Sequence, residues 1–328
     1  MRRGAGIRGR RTVCALLAAM SLVVSGCGLN VNAALPFDVG PGSIRPVPEL
    51  EGVEITVGSK DFTENTILAY ITQLALKAAG AKPIDFTNIT GSNGARAALE
   101  NGQIDLMWEY TGTGWLSYLG YDQPLPTEQE QYDAVREADL ERNGIVWLPY
   151  SEVNNTYGFA TTEEYANKHG LRTMTEVTDF LKQNPQEAVF CVDTEFANRP
   201  DGLPGVRETY GFPTTTTKTF GSGAIYAAVV NGTCNFGEVF TTDGRIAGLR
   251  LRVMEDDKKF FPQYNAALTL REDFHRQYPE IAEIIAPITE ELDNTEIIEL
   301  NKQVDVDGRD AAEVARDWLV AKGFITEG

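Results

Sequence analysis

Residues 104–114, IDLMWEYTGTG, place aromatic and acidic side chains at the end of an apolar run. Trp108, Glu109 and Tyr110 are followed at once by threonine and glycine. A core strand does not need two aromatic rings and a carboxylate at its end, and a tight turn does not need that much aromatic surface. Aromatic faces beside polar groups are typical of a ligand pocket. We therefore predict that this strand end is the wall of a binding cleft.

Side chains that would carry catalysis or hold a metal are sparse. The two histidines, His169 and His275, lie far apart among charged residues, and no cysteine cluster accompanies them, which argues against a zinc site. The sequence contains no G-x-S-x-G nucleophile elbow and no Walker loop. Two acids such as Glu109 and Glu238 would serve glycoside hydrolysis only at a fixed separation, which the sequence does not define. We predict no enzyme activity, no metal site and no cofactor.

The pattern of strands and helices around the cleft wall predicts an α/β fold. Residues 54–110 alternate between strand-like apolar runs and helical spacing, in the order strand, helix, strand, helix, strand. This order favours a parallel sheet. About nine strand candidates fall into two clusters, which favours two α/β lobes over one large domain. Ligands of such sheets bind beyond the carboxyl ends of the strands, where WEYTGTG lies.

The N-terminus has the pattern of an export signal. MRRGAGIRGRR carries five arginines and no acid, and a short apolar run follows it. VSGC, ending at Cys27, is similar to the lipobox of bacterial lipoproteins. We predict a lipoprotein signal peptide at 1–26, a lipidated Cys27, and a flexible tether through residue 53, rich in proline and glycine. The alternative is an ordinary signal peptide with a chance cysteine, and Arg10-Arg11 also permits twin-arginine export.

The charge balance argues against nucleic acid as a partner. Removal of residues 1–26 leaves 24 basic and 47 acidic residues, a net charge of −23. Such a surface repels phosphate backbones and anionic lipid headgroups. We predict that the charge serves solubility and that the lipid supplies the link to the membrane.

Two cysteines, Cys191 and Cys234, remain after the signal and the lipidated residue are set aside. Both lie in strand-like flanks, VFCVD and GTCNFGEV. In an oxidising exported setting a leftover pair suggests a disulfide. The alternative is two buried free thiols.

Four long segments occur in an order that matches a known family. They are ITVGSKDFTENTILA, IDLMWEYTGTG, DTEFANRPDGLPGVRETYGF and EVFTTDGRI. From residue 52 to the C-terminus the chain resembles the substrate-binding proteins of osmoprotectant ABC transporters, the glycine betaine/choline/proline betaine family. The resemblance implies a type II periplasmic-binding-protein-like fold, with two α/β lobes, a two-strand hinge and a ligand cleft. Lobe 1 would comprise residues 54–109 plus 241–328, lobe 2 would comprise residues 110–240, and the crossovers would lie at WEYTGT and VFTTDGR.

The resemblance also implies which residues face the ligand. Tyr110 and Tyr210 match the family's aromatic cage, whose ring faces suit the diffuse charge of a quaternary ammonium. Lys60, after the first strand, is placed for the anionic end of a betaine. The other ligand-facing candidates are Trp108, Glu109, Thr111, Asn154, Asn155, Tyr157 and Phe240.

Some matched residues have an open or different role. Thr111 and Thr113 either cap the helix after the hinge or donate into the cleft. Arg199 and Asp201 are expected to organise their loop rather than to contact ligand.

Two departures from the family pattern bear on the ligand. Phe240 stands where tyrosine is common, and Arg96 stands where relatives can supply another cage aromatic. An arginine pointing inward would repel a cationic ligand. The alternative ligand is a non-cationic aromatic or polyhydroxylated solute, which would stack on the rings and use Arg96 or Lys60 as donors.

The resemblance implies a monomeric, lipid-anchored receptor on the outer face of the cytoplasmic membrane. It would capture a compatible solute by lobe closure and deliver it to an ABC permease with its ATPase subunits. The same lobes would also suit a solute sensor that signals without transport.

Overall fold

The structure, a computed structural model, describes residues 37–213 and 216–328. The predicted signal peptide, Cys27 and the first part of the predicted tether lie outside the described residues.

The strands of the described residues are numbered in chain order. They are β1 (Val39–Pro41), β2 (Glu54–Lys60), β3 (Lys82–Ile89), β4 (Leu106–Tyr110), β5 (Ile145–Trp147), β6 (Tyr157–Thr162), β7 (Val189–Val192), β8 (Thr216–Thr219), β9 (Phe236–Phe240), β10 (Leu251–Val253), β11 (Ala266–Arg271) and β12 (Ile325–Glu327).

The α-helices are numbered in the same way. They are α1 (Thr63–Ala78), α2 (Ser92–Glu100), α3 (Thr111–Thr113), α4 (Glu128–Asn143), α5 (Glu163–His169), α6 (Met174–Gln183), α7 (Leu203–Tyr210), α8 (Ser222–Val230), α9 (Arg245–Gly248), α10 (Glu272–Gln277), α11 (Glu280–Glu291), α12 (Asn294–Asp305) and α13 (Ala311–Ala321). A π-helical turn, Gly114–Tyr118, continues α3, and 3-10 turns lie at Pro48–Leu50 and Pro185–Glu187.

Two five-stranded sheets form the frame of the protein, in the orders β3-β2-β4-β11-β5 and β10-β6-β9-β7-β8. In the first sheet β2 pairs in parallel with β3 and β4, whereas β11 is antiparallel to β4 and β5. In the second sheet β7 pairs in parallel with β8 and β9, whereas β6 is antiparallel to β9 and β10. The sheets are therefore mixed rather than wholly parallel, and each can present strand ends to a shared cleft.

The helix α1 covers the first sheet because its apolar residues recur on one face. Ile67, Ile71, Leu74 and Ala78 follow the i, i+4, i+7 spacing and are all buried. Trp108 of β4 is also fully buried beneath this helix layer and donates its indole N–H to Thr72 of α1, at 2.8 Å. The core of this sheet thus fixes the position of the β2 and β4 ends.

The chain passes between the sheets at different points from those predicted. Since β5 pairs with β11 in the first sheet and β10 pairs with β6 in the second, the crossover segments are residues 148–156 and 254–265. The two crossover segments run side by side, with a bridge between Asn154 and Asn265. The predicted crossovers at residues 110 and 240 were wrong because the pairing of β5 and β10 is non-local, and no local pattern reveals it.

The predicted tether is also shorter than expected. From residue 37 onward the segment packs on the folded body: β1 pairs with β12, and Ile44 and Leu50 are buried. The apolar side chains outweigh the proline and glycine content on which the prediction rested.

The disulfide prediction is confirmed. Cys191 of β7 is bonded to Cys234, which precedes β9, with Cα atoms 5.7 Å apart. Both residues are buried, and the bond ties β7 to the segment that leads into β9, its neighbour in the second sheet.

Candidate functional site

A cavity of about 40 Å³, here called the aromatic cavity, lies where the two sheets and the crossover segments meet. Its wall combines rings, cationic groups and polar side chains. It is lined by Lys60, Asp61, Phe62, Gly91, Ser92, Tyr110, Thr113, Asn155, Tyr157, Asp193, Glu195, Arg199, Ser222, Phe240 and Tyr264.

Five rings form one side of the aromatic cavity. The Tyr157 ring lies 5.2 Å from that of Phe240 and 5.5 Å from that of Tyr264, centroid to centroid. The Phe62 ring lies 5.1 Å from Phe240 and 5.9 Å from Tyr110. These spacings leave ring faces and edges around a common space, which is the arrangement that stabilises a cation without hydrogen bonds.

Strand geometry explains why these rings converge. Tyr110 is the last residue of β4, and Phe240 is the last residue of β9. Tyr157 begins β6 and is the direct register partner of Phe240, so the two side chains share one face of the second sheet. Tyr264 lies on the second crossover segment, where its backbone N–H donates to Asn154 Oδ1 at 2.9 Å. Its hydroxyl donates to Asp201 at 2.5 Å.

The first cationic group of the aromatic cavity is Lys60, at the end of β2. Its Nζ atom donates to Glu109 Oε1 at 2.5 Å and lies 4.8 Å from the centroid of the Tyr110 ring. Glu109 also accepts from the Tyr118 hydroxyl, at 2.6 Å, and from the backbone N–H of Tyr110. A buried carboxylate that is held by three donors fixes the position of the Lys60 side chain.

The second cationic group is Arg199, which is buried among carboxylates. Its guanidinium pairs with Asp201 and, at 2.7 Å, with Glu195, and its Cζ atom lies 5.4 Å from the centroid of the Tyr157 ring. Its Nη2 atom reaches the Thr113 hydroxyl at 3.4 Å. Arg199 thus organises its loop, as predicted, and also lines the cavity.

Glu195 is strongly acidic because of its neighbours. Burial alone would raise the pKa of this carboxyl, but the positive charges of Arg199 and Lys60, together with hydrogen bonds from Ser92, lower it to about 2. The aromatic cavity therefore holds charged groups of both signs at neutral pH, as a zwitterionic ligand requires.

A second cavity, of about 270 Å³, adjoins the first and shares Asp61, Phe62, Asn155, Ser222 and Phe240 with it. We call it the Glu64 cavity after its buried carboxyl. Its remaining lining is Thr63, Glu64, Thr66, Asn88, Gly223, Thr242, Asp243, Arg245, Asn301, Val304, Asp305 and Ala311. Burial raises the pKa of Glu64, although hydrogen bonds from four side chains oppose the shift.

The structure brings several of the predicted ligand-facing residues together. Lys60, Tyr110, Asn155, Tyr157 and Phe240 all line the aromatic cavity. Two other predicted residues do not line the cavity but contact residues that do. Glu109 holds Lys60, and Asn154 holds the backbone of Tyr264.

Tyr210 and Arg96 lie elsewhere, which corrects two predictions. Tyr210, at the end of α7, lines neither cavity, and its hydroxyl contacts Asp256 instead. Arg96 forms a two-pronged ion pair with buried Asp139 and bonds to Glu100. Arg96 therefore does not point into the cleft, and the expected repulsion of a cationic ligand does not arise.

Trp108 and Thr111 also lie outside the cavity walls. The ring of Trp108 belongs to the core between β4 and α1. Thr111 is fully buried, donating its hydroxyl to the carbonyl of Gln263 and accepting from the N–H of Asn265. Thr111 thus fastens α3 to the second crossover segment, whereas Thr113 lines the aromatic cavity.

Sequence reasoning missed Tyr264 and Phe62, and it gave Arg199 only a structural role. Phe62 stands two residues after Lys60 in GSKDF, so its place beside the predicted anion site was a usable signal. Tyr264 lies in an irregular stretch before β11, FFPQYN, where neither periodicity nor a turn motif marks it. The fold alone brings Tyr264 to the rings.

The described residues contain neither a cluster of metal ligands nor a candidate membrane span. Within residues 37–213 and 216–328, no three His, Cys, Asp or Glu side chains lie together in a group that could hold a metal ion. Over the same ranges, no helix combines the length and the apolar character that a bilayer crossing requires.

Comparison with known proteins places these features in a family. Residues 53–321 match the family described as the substrate binding domain of the ABC-type glycine betaine transport system. A glycine-betaine-binding protein of Pseudomonas aeruginosa is 38% identical over 282 residues, which cover 84% of this chain and 89% of that protein. The glycine betaine-binding protein YehZ of Escherichia coli is 29% identical over 282 residues, covering 82% of this chain and 91% of YehZ.

A solved structure agrees with these matches. The crystal structure of a glycine betaine/carnitine/choline ABC transporter protein superimposes with a TM-score of 0.68 at 26% identity, covering 82% of this chain and 99% of that one. The match over residues 53–321 includes both sheets, both crossover segments and every residue of the aromatic cavity. The chain therefore belongs to the family of substrate-binding domains of ABC-type glycine betaine transport systems, which have the type II substrate-binding-protein fold.

Proposed function

We propose that the aromatic cavity captures a zwitterionic quaternary ammonium solute of the betaine class. The observation that carries the proposal is the meeting of five aromatic rings with Lys60 and Arg199 in one cavity. Membership of the family makes the chain the solute-capturing component of an ABC importer, which is not an enzyme.

The rings suit the cationic end of such a solute. A trimethylammonium group donates no conventional hydrogen bond, so it is stabilised by aromatic faces and by nearby negative charge. Phe240 supplies its ring at this site without needing a hydroxyl. Asp193 and Glu195 add carboxylates to the same wall. With Arg96 paired to Asp139, the main sequence argument for a non-cationic solute no longer applies.

Lys60 and Arg199 suit the anionic end. Both line the cavity and carry N–H donors, and Thr113 adds a hydroxyl beside Arg199. A carboxylate that replaced or shared their present partners would gain charge-assisted hydrogen bonds in a buried setting. A solute that lacks a carboxylate would forgo this contribution.

Capture is proposed to occur by lobe closure on the crossover segments. The aromatic cavity has a volume of about 40 Å³. A buried water needs about 10–15 Å³ of cavity volume, so this cavity holds roughly three waters. A betaine needs more room than this. Access of the solute therefore requires the rings from the two sheets to separate, and the paired crossover segments 148–156 and 254–265 are the connections that can bend.

Calorimetric titration tests the solute class. We expect glycine betaine to bind most tightly, choline to bind more weakly because it has no carboxylate, and an uncharged aromatic polyol not to bind. A polyol that bound while both quaternary ammonium solutes failed would overturn the proposal. Recovery of unaltered glycine betaine after long incubation is expected of a receptor.

The proposed setting is a monomer anchored by lipid at Cys27, outside the cytoplasmic membrane, delivering solute to a permease and its ATPase. Support comes from the VSGC motif and from the family's role in ABC import. The intact mass of protein extracted from membranes tests the anchor, because residues 1–26 should be absent and a diacylglyceryl group present. Cys27→Ala should release the protein from membranes, and an unchanged membrane fraction would refute the anchor.

A further inference from the structure

The Glu64 cavity has more room than the aromatic cavity that it adjoins, about 270 Å³ against about 40 Å³. The two share five lining residues, including Asn155 and the ring of Phe240. A group attached to a solute in the aromatic cavity could extend into this space. The chemistry of its walls indicates which kind of group would be bound there.

Three buried oxygens of the Glu64 cavity lining have no hydrogen-bond partner among residues 37–213 and 216–328. They are Asn155 Oδ1, Asn301 Oδ1 and Asp305 Oδ2. Asn155 is 5% exposed, Asn301 is 2% exposed and the Asp305 side chain is 7% exposed. Buried acceptors without hydrogen bonds are costly, so the two amide oxygens point to a ligand that donates to them. Asp305 Oδ2 also lacks a hydrogen bond, although it forms an ion pair with Arg245 at 3.5 Å, and it can accept from the same ligand.

The orientation of both asparagine amides is fixed by Glu64. Asn155 donates its amide N–H to Glu64 Oε1 at 3.0 Å, and Asn301 donates to Glu64 Oε2 at 3.2 Å. Asn301 also donates to the carbonyl of Thr242, at 3.0 Å. A flipped amide would set its oxygen against the carboxylate, so each Oδ1 is left as the acceptor.

Three of the acidic side chains in the cavity lining, Glu64, Asp243 and Asp305, have protein partners. Glu64 accepts hydrogen bonds from Tyr110 and Thr242 as well as from the two amides. Asp243 forms an ion pair with Arg245. Asp305 accepts from Thr63 through Oδ1 at 2.7 Å, while its Oδ2 lies 3.5 Å from the Arg245 guanidinium. The Asp61 carboxylate, which lines the same cavity, accepts only the backbone N–H of Gly91 among the described residues, so the capacity that remains in the described lining is mainly acceptor capacity.

We propose that the Glu64 cavity is a side-chain compartment, which binds a neutral O–H or N–H donor group carried on the α-carbon of a betaine. This inference rests on the proposed function, because the ammonium and carboxylate of the same solute occupy the aromatic cavity. The substrate class then extends from glycine betaine to betaines of amino acids with uncharged, donor-bearing side chains. An anionic side chain is rejected, because it brings acceptors and negative charge to a wall of acceptors.

Calorimetric titration of the protein with four synthetic betaines tests the compartment. Glycine betaine reports the aromatic cavity alone. The betaines of glutamine, glutamate and norleucine have side chains of similar length, which are respectively donor-bearing, anionic and apolar. We expect glutamine betaine to bind about ten-fold more tightly than glutamate betaine or norleucine betaine. One well-made hydrogen bond to a buried acceptor has about that effect.

A variant pair locates the effect. Asp305→Asn replaces an acceptor of the compartment by an amide of the same shape, and it should reduce the preference for glutamine betaine over norleucine betaine to about three-fold or less. Asp307→Asn is the matched control, because Asp307 is exposed and pairs with Lys302 outside the cavity. The control should keep the full preference.

The outcomes separate the two proposals. If glycine betaine binds and the three longer betaines bind equally, or none of them binds, the compartment is refuted and the proposed function stands. A preference that Asp305→Asn leaves intact also refutes the compartment as described. If no betaine binds at all, the proposed function is overturned and this inference with it.

Discussion

The ammonium nitrogen of Lys60 lies 4.8 Å from the centroid of the Tyr110 ring. The two residues meet because β2 and β4, which they end, are parallel neighbours in the first sheet. Tyr110 therefore already faces a cation that belongs to the protein, and Glu109 holds that cation at 2.5 Å. The ammonium group of a quaternary ammonium solute must therefore contact the Tyr110 ring together with Lys60, or contact the rings of Tyr157, Phe240 and Tyr264 instead. The carboxylate of the solute would accept hydrogen bonds from Lys60.

Lys60→Met should weaken glycine betaine binding far more than choline binding. The variant removes a charge-assisted bond to the carboxylate, which choline lacks, so we expect about a 10- to 100-fold loss for glycine betaine. Calorimetric titration of both solutes measures the difference. Lys302→Met is the control and should change neither affinity, because this half-buried lysine lines neither cavity and pairs with Asp307. Equal losses for the two solutes would show that Lys60 does not contact the carboxylate.

Phe240→Leu should weaken the binding of both solutes. The side chain makes no hydrogen bond, so the change removes a ring face from the cavity without leaving a polar partner. A desolvated cation–π contact of about 1–2 kcal/mol corresponds to a loss of roughly five- to thirty-fold. Phe260→Leu is the matched control, because this ring is partly buried outside both cleft cavities. Similar affinities in the two variants would remove Phe240 from the site.

The sequence predicted those site residues that follow directly from strand ends. Lys60 ends β2, Tyr110 ends β4 and Phe240 ends β9, and the ends of adjacent strands converge at one edge of a sheet. The type II fold was also predictable, because the matched segments are long and in order. These features depend on local pattern and motif.

Features that depend on non-local pairing were not predictable. The pairing of β5 with β11 moves the first crossover to residues 148–156, and the pairing of β10 with β6 moves the second to residues 254–265. The backbone of the second crossover segment brings Tyr264 to the rings. The assignment of Tyr210 failed because its position at the end of α7 does not reveal which face of the helix meets the cleft. Its hydroxyl faces Asp256 instead.

Arg96→Met should destabilise the fold without changing the affinity for solute. Asp139 is fully buried, and loss of its guanidinium partner leaves a buried charge that, among the described residues, is supported only by Asn143 and Trp147. Breaking such a pair costs about 3–5 kcal/mol of unfolding free energy. Urea unfolding measures this loss, and calorimetric titration of the folded protein measures affinity.

The double variant Arg96→Met, Asp139→Asn is the control for this prediction. It removes both charges, so we expect it to recover a large part of the lost stability. An altered solute affinity in Arg96→Met, together with unchanged stability, would restore Arg96 as a ligand contact.

The Glu195 carboxyl should make stability depend on pH in a defined acid window. Its folded pKa of about 2 lies below the ordinary value of 4.5, because Arg199 and Lys60 outweigh the effect of burial. A group with a lowered folded pKa stabilises the fold fully above its unfolded pKa, and that contribution is lost as the pH falls from about 4.5 towards 2. Glu195→Gln removes the contribution at every pH. The difference in unfolding free energy between the original protein and this variant should therefore be larger at pH 7 than at about pH 3.5.

Urea unfolding at both pH values measures this difference, and the subtraction cancels the titration of buried acids that lie away from Glu195. Asp193 and Glu238 are exceptions, because the charge of Glu195 helps to raise the pKa of each. Glu208→Gln is the control, because this exposed glutamate lies on the same lobe and outside the cleft cavities. It should give nearly the same small difference at both pH values. A Glu195→Gln difference that stayed constant, or grew in acid, would mean that Arg199 and Lys60 do not hold this carboxylate in its charged form. The charge pattern assigned to the aromatic cavity would then be incorrect.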